Sequence, residues 1–283
     1  MSLRLAYVTN GLGQHRLDDA LALLADNGYD GVALTLDHLH LDPFARDVPA
    51  RVNALSARLE ELGLAIVLET GARYLLDPRR KHEPTLVSNL GRERRLDLYR
   101  RAIAIAAELR AEAVSLWSGS IPAGTSRAEA WGRLVEGMLL VLEEAEAREM
   151  VIGFEPEPGM LVDRLDSFDA LFATVGRPGR LGLTLDLGHC VCLEDEPVVD
   201  CIRRAAPRLV HVHIEDMRRG VHEHLDFGVG DLDLPKALAA HEEARYGGLV
   251  AVELSRHSHA ADTVVPRAIR VLRKAERMEV LIP

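Results

Sequence analysis

Four apolar runs in the second half of the chain each end in a residue that can bind a metal or move a proton. Val151-Ile152-Gly153-Phe154 leads into Glu155, and Leu181-Gly182-Leu183-Thr184-Leu185 into Asp186. Leu209-Val210-His211-Val212 leads into His213, and Gly248-Leu249-Val250-Ala251-Val252 into Glu253. Each run has the length and composition of a buried strand. Taken singly, each terminal residue is a polar group at a strand end, where polar groups belong. Brought to one place, three carboxylates and an imidazole would repel or desolvate one another without a cation between them. An oxygen-rich set of this kind suits one Mn²⁺, Mg²⁺ or Co²⁺ ion, and is compatible with Zn²⁺. His189 follows Asp186 by three residues, and Gly188 between them is expected to let the backbone turn sharply.

Convergence requires a fold that puts all four strand ends on one face. Strand and helix signals alternate along the whole chain. Strands are expected at 4–8, 31–36, 64–68, 113–117, 151–154, 181–186, 209–213 and 248–252. Between them lie helical periodicities through Leu17 to Leu24, 47–62, Leu96 to Leu109, 127–148, a helix capped near Asp166 or Ser167, 195–206, one starting near Leu234, and Asp262 to Met278. Asn27-Gly28 and Gly63 close the first two helices. Eight βα units without a linker predict a single-domain (β/α)₈ TIM barrel over residues 1–283. A doubly wound sheet would carry a glycine-rich phosphate turn after its first strand, and Asn10-Gly11-Leu12-Gly13-Gln14 matches that poorly. In a barrel, Glu155, Asp186, His213 and Glu253 share one mouth.

Composition narrows the partners. A formal charge of −10 argues against nucleic acid, which needs a surplus of Lys and Arg. No run reaches the roughly 18 apolar residues of a membrane span, and the N-terminus lacks a signal-peptide core. Cys190, Cys192 and Cys201 form neither a paired framework nor a zinc pattern, which points to packing roles in a reduced, cytoplasmic protein. A small-molecule substrate and a homo-oligomer, dimer or tetramer, are the expectations.

Several motifs resemble the xylose-isomerase-like TIM-barrel superfamily of sugar isomerases and epimerases, inosose dehydratases and endonuclease IV. They are Phe154-Glu155-Pro156, Asp186-Leu187-Gly188-His189, His211-Val212-His213-Ile214-Glu215-Asp216, Gly228-Val229-Gly230-Asp231 and Val252-Glu253. The chain is most similar to the ketose 3-epimerase and hydroxypyruvate isomerase branch. That resemblance implies one divalent metal held by Glu155, Asp186, His213 and Glu253. It implies that Glu155 and Glu253 double as the acid/base pair, and that His189 and Arg219 contact substrate oxygens. The chain departs from the epimerase pattern at Leu161, where a glutamate is usual, which argues against a strict hexose epimerase. Metal-dependent dehydration, non-catalytic sugar binding and, further off, phosphodiester hydrolysis are the alternatives.

His222-Glu223-His224 occupies the place where endonuclease IV binds an additional zinc. With His189 it could hold a second metal; alternatively His224 touches substrate and His222 is exposed. That nuclease also needs histidines after strands two and three, and strand three here ends in Glu69-Thr70-Gly71, although His38 and His40 follow strand two. Glu69 and Trp117, at the ends of strands three and four, are expected to face the mouth and contact substrate, Trp117 through its apolar ring. Arg79-Arg80-Lys81-His82 lies on a long loop at the same face, either as a lid bringing positive charge to an anionic substrate or as a solvated loop. Glu157 reads as a solvated carboxylate or a partner of the first metal ligand, and His257 and His259 have no assigned role.

Overall fold

Alternation along each strand sorts the chain into two apolar layers. The computed structural model describes residues 2–279. Its strands are β1 (Arg4–Val8), β2 (Gly31–Thr35), β3 (Ala65–Glu69), β4 (Val114–Leu116), β5 (Ile152–Phe154), β6 (Leu181–Asp186), β7 (Leu209–Ile214), β8 (Asp216–Arg218), β9 (Val221–Leu225) and β10 (Leu249–Val252). Eight of them close a parallel barrel in the order β1-β10-β7-β6-β5-β4-β3-β2, and Arg4 beside Leu249 marks the closing register. Ala6, Val8, Ala33, Val67, Leu249 and Ala251 pack together as one cluster of mostly small residues inside the barrel. Their neighbours Leu5, Tyr7, Val32, Leu34, Ile66, Leu68, Val250 and Val252 belong to the larger core beneath the helices. Small residues suit the interior because eight strands leave room for little more than interdigitated side chains.

The helices are α1 (Leu17–Asp26), α2 (Val48–Leu62), α3 (Arg92–Leu109), α4 (Arg127–Ala147), α5 (Leu165–Thr174), α6 (Leu187–Leu193), α7 (Val198–Ala205), α8 (Leu234–Glu243) and α9 (Ala261–Glu279). Among the described residues, no helix is long and apolar enough to cross a membrane.

Two local expectations are corrected. No sharp glycine turn separates Asp186 from His189. The helix α6 starts directly after β6, and the Asp186 side chain caps it by accepting from the His189 N–H at 2.7 Å. Gly188 is needed for space instead, since a Cβ there would lie 2.2 Å from Glu215 Oε1. The second correction lies between the strand expected at 209–213 and the helix starting near Leu234, where no strand is expected and the chain folds as the antiparallel hairpin β8–β9. Buried Asp216 staples it: Oδ1 accepts from the N–H groups of Met217 and Leu232, and Oδ2 from Gly228.

Candidate active site

The alternation that fills the barrel also selects what reaches its mouth. Interior positions continue to Asn10 after β1, Thr35 and Glu69 at the ends of β2 and β3, Trp117 after β4 and Glu155 after β5. Asp186 and His213 lie side by side in register on β6 and β7, and Glu253 follows β10. All but Asp186 line one cavity of about 200 Å³, joined by Arg73, Lys81, His82, Glu157, His189, His222, His224 and Arg256. That volume admits a small metabolite and lies below the usual drug-sized pocket.

Glu155, Asp186, His213 and Glu253 meet as expected, offering ligand atoms within 4.8 Å of one another. His213 Nδ1 is 3.0 Å from Glu155 Oε1 and 3.2 Å from Glu253 Oε2. Asp186 Oδ2 is buried with no hydrogen-bond partner, an orphan acceptor aimed at this group. Asn10 Nδ2 donates to Glu253 Oε1 at 2.6 Å and fixes that carboxylate. Burial pushes the Glu155 carboxyl up to about 7, with the charges of Glu253 and Asp186 adding to it against the pull of His213. Burial would depress His213, but Glu69, Glu155 and Glu253 raise it well above the ordinary histidine range.

Glu69 reaches the cavity, but its carboxylate is committed to protein partners. Oε1 lies 3.1 Å from His213 Nε2 and 3.2 Å from His211 Nε2. Burial alone would raise its pKa; the two imidazoles overcome that and lower it to about 2. Glu69 therefore orients His213, leaving Nδ1 for the cluster, in the manner of a carboxylate behind a metal-binding histidine. Trp117 lines the wall as expected, with the Arg95 guanidinium 5.2 Å from its ring centre and His82 edge-on at 5.5 Å.

His189 is buried at the cavity. Its Nδ1 donates to Pro156 O at 3.0 Å, so Nε2 is the free lone pair, and His222 Nε2 stands 3.1 Å from it. Burial holds His189 at about 4, hence neutral at pH 7. His222 is exposed, yet the hairpin brings it together with His189 and His224 as a second group of ligand atoms within 4.8 Å. His224 Nδ1 lies 3.4 Å from Glu215 Oε1. Burial opposes its charge, but Glu253 and Glu215 raise its pKa to about 10.

Arg219 is not brought to the cavity. It sits at the exposed tip of the β8–β9 hairpin, bonded to the Glu194 carbonyl and, at 2.8 Å, to Asp195 Oδ1. Its backbone N–H is held by Asp231, so the Gly228–Asp231 motif serves the hairpin. Leu161 is fully buried in the core. His38 is exposed and His40 bonds the His15 carbonyl; neither lines the cavity, nor do His257 and His259. Arg79 and Arg80 also lie outside the lining, with Arg80 paired to Asp77.

Sequence reasoning missed Asn10, although the strand-end rule applied to β1 would have found it. Of the two readings of Glu157, the solvated one is set aside: Glu157 lines the cavity, and burial, with the charges of Glu155 and Glu253, raises it to about 8. Arg73 gave no signal.

A barrel whose mouth gathers these ligand types is defined as a class by its sequence as well. The model of the xylose isomerase-like TIM barrel family matches residues 21–275, and the chain belongs to that family. No curated protein matches it by sequence. Among solved structures it is similar to an L-ribulose 3-epimerase, at 20% identity over 99% of this chain and 98% of the other with a TM-score of 0.78. It is similar to the D-allulose 3-epimerase of Methylomonas sp., at 20% identity over 96% and 97% with a TM-score of 0.74. A third is the 3-keto-D-glucoside 4-epimerase of E. coli, at 14% identity over 96% and 100% with a TM-score of 0.76.

Proposed function

We propose that this protein is a divalent-metal-dependent isomerase or epimerase of a small sugar or hydroxy-carbonyl compound, working by α-proton transfer between Glu155 and Glu253. The observation that carries this reading is the approach of two carboxylates, from strands on either side of β6 and β7, to the same nitrogen of His213. The donor set fits a cation, because Asp186 Oδ2 is buried without a partner amid two further carboxylates and a neutral-capable imidazole nitrogen. Glu155, Asp186, His213 and Glu253 would hold it; Mn²⁺, Mg²⁺ or Co²⁺ suits the oxygen-rich set best. When bound, a divalent cation supplies Lewis acidity that polarises a carbonyl and acidifies the adjacent C–H.

The protein's own groups do the rest. Glu155, buried at the cavity with Oε1 3.0 Å from His213 Nδ1, is placed to take up a proton from carbon. Glu253, oriented by Asn10, returns a proton from the other side, to the same carbon in an epimerase or to its neighbour in an isomerase. His189 offers Nε2, and His224 a charged imidazolium, to substrate oxygens. Expulsion of a β-hydroxyl after the same first step would make a dehydratase, which product analysis separates. The grouping of His189, His222 and His224 favours a second reading, hydrolysis at two metals. The missing histidine at the end of β3 and the net charge of −10 weigh against it.

The test is exchange of solvent deuterium into a panel of ketoses and hydroxy-ketones, followed by NMR with the Mn²⁺-loaded protein. Glu155→Gln and Glu253→Gln should each slow exchange by roughly 10²- to 10⁴-fold. Exchange at the parent rate in both variants would remove the two-carboxylate mechanism.

A further inference from the structure

The cavity has a second wall of opposite character. Facing the acidic strand ends is the loop between β3 and α3, which contributes Gly71, Arg73, Lys81 and His82 to the lining. We propose that Arg73 and Lys81 bind an oxyanion of the substrate, so that the compound turned over carries a carboxylate or a phosphoryl group distal to its reacting carbons. For turnover this rests on the isomerase reading; as a binding site it stands apart from it.

The loop is built to hold those two side chains. Ala72, Arg73 and His82 all have left-handed backbone, with φ of 58°, 36° and 68°. Residues with a Cβ adopt that region only where their surroundings impose it, and such positions gather at ligand-binding segments. The imposing contacts are visible. The His82 N–H donates to Arg73 O at 2.5 Å, and His82 Nδ1 to Gly71 O at 2.6 Å, stapling the segment carrying Lys81 across the one carrying Arg73. Beneath them Arg95, fully buried, donates to the carbonyls of Thr70, His82 and Pro84.

The cations of this region differ in what they face. The charge of Arg95 is enclosed among carbonyls and the rings of Tyr99 and Trp117. Arg80 is paired with Asp77, and Arg256 on the far rim with Glu223. Arg73 and Lys81 pair with no carboxylate among the described residues; the Arg73 guanidinium makes one hydrogen bond, to Asn10 O at 3.0 Å. Two unneutralised cations thus border the cavity of a chain whose formal charge is −10. A guanidinium and an ammonium lining one cavity, neither neutralised, suit a carboxylate or phosphate ligand. A neutral polyol would need neither charge. The placement also sets direction: an anionic group held by Arg73 and Lys81 lies on the loop side of the cavity, which turns the other end of the substrate toward the strand ends.

The experiment measures binding of inorganic phosphate and of glycolate to the full chain by calorimetry at low salt, loaded with Mn²⁺ and again after chelation. Saturable binding is expected, weaker by about tenfold or more in Lys81→Ala and in Arg73→Gln, the loss of a charge-assisted hydrogen bond. Lys81→Arg should restore it. Tighter phosphate marks a phosphoryl substrate, and tighter glycolate a carboxylate. Absence of saturable binding, or affinities in Lys81→Ala within about twofold of the parent, would overturn the proposal. Mn²⁺ counts on the same samples keep the two readings separate. Loss of the anion with the ion count intact concerns the loop alone, whereas a protein that binds no Mn²⁺ contradicts the isomerase reading whatever the anion does.

Discussion

The strand ends of the second half of the barrel and the loop after β3 build one cavity by different means. Glu155, Asp186, His213 and Glu253 sit where the backbone ladder ends, so register and alternation place them, and Asp186 faces His213 as directly paired neighbours. Arg73, Lys81 and His82 have no ladder beneath them. Their placement depends on one buried arginine, Arg95, and on carbonyl groups that only a folded loop can present. The proposed chemistry is thus held by the sheet, and the proposed recognition of an anion by a loop that one side chain organises.

That division can be broken from either side. The largest effect should come from Arg95→Met, which leaves the buried carbonyls of Thr70 and Pro84 and the part-buried carbonyl of His82 without this donor and should lower stability by roughly 3 kcal/mol or more. Chemical denaturation and limited proteolysis would read this as a lower midpoint with cleavage confined to 71–84, while Mn²⁺ binding at the strand ends persists. Loss of both together would show that loop and strand ends are one unit.

Next is the acid side of the stability profile. Burial, then the charges of Lys81, Arg95 and Arg73, lowers His82 from 6.5 to about 4. A folded-state pKa below the unfolded value means that the unfolded chain binds the proton more readily. The contribution is full above pH 6.5 and is lost as pH falls toward 4, by roughly 3 kcal/mol. In His82→Asn, the dependence of unfolding free energy on pH between 6.5 and 4 should be shallower by that amount, with the metal removed in both proteins. The smallest effect is expected for Glu69→Gln, which weakens the acceptor behind His213 and should lower Mn²⁺ affinity by roughly 10- to 100-fold without changing the ion count.

How much could be read in advance follows the same division. The eight strands, the barrel and the four metal-binding candidates were legible because each depends on local alternation and on a polar residue at a strand end. The role of Glu69 was hidden because its partners lie on β7, 144 residues away in the case of His213. Arg95 stands in Arg92-Glu93-Arg94-Arg95, where nothing local separates one buried arginine from its exposed neighbours. The β8–β9 hairpin is not among the expected strands because Val221-His222-Glu223-His224-Leu225 is short and largely polar; its staple, Asp216, acts on Gly228 and Leu232. Arg219 was carried over with its motif, but in this chain the hairpin tip directs it to Glu194 and Asp195.

The most direct measurement is a Mn²⁺ titration of the chelator-stripped protein, with free Mn²⁺ followed by EPR. One tight ion per chain is expected, lost in Asp186→Asn and kept in His222→Ala. No tight ion, or one that survives Asp186→Asn, would contradict it, and a second ion lost in His222→Ala would move the protein to hydrolytic chemistry.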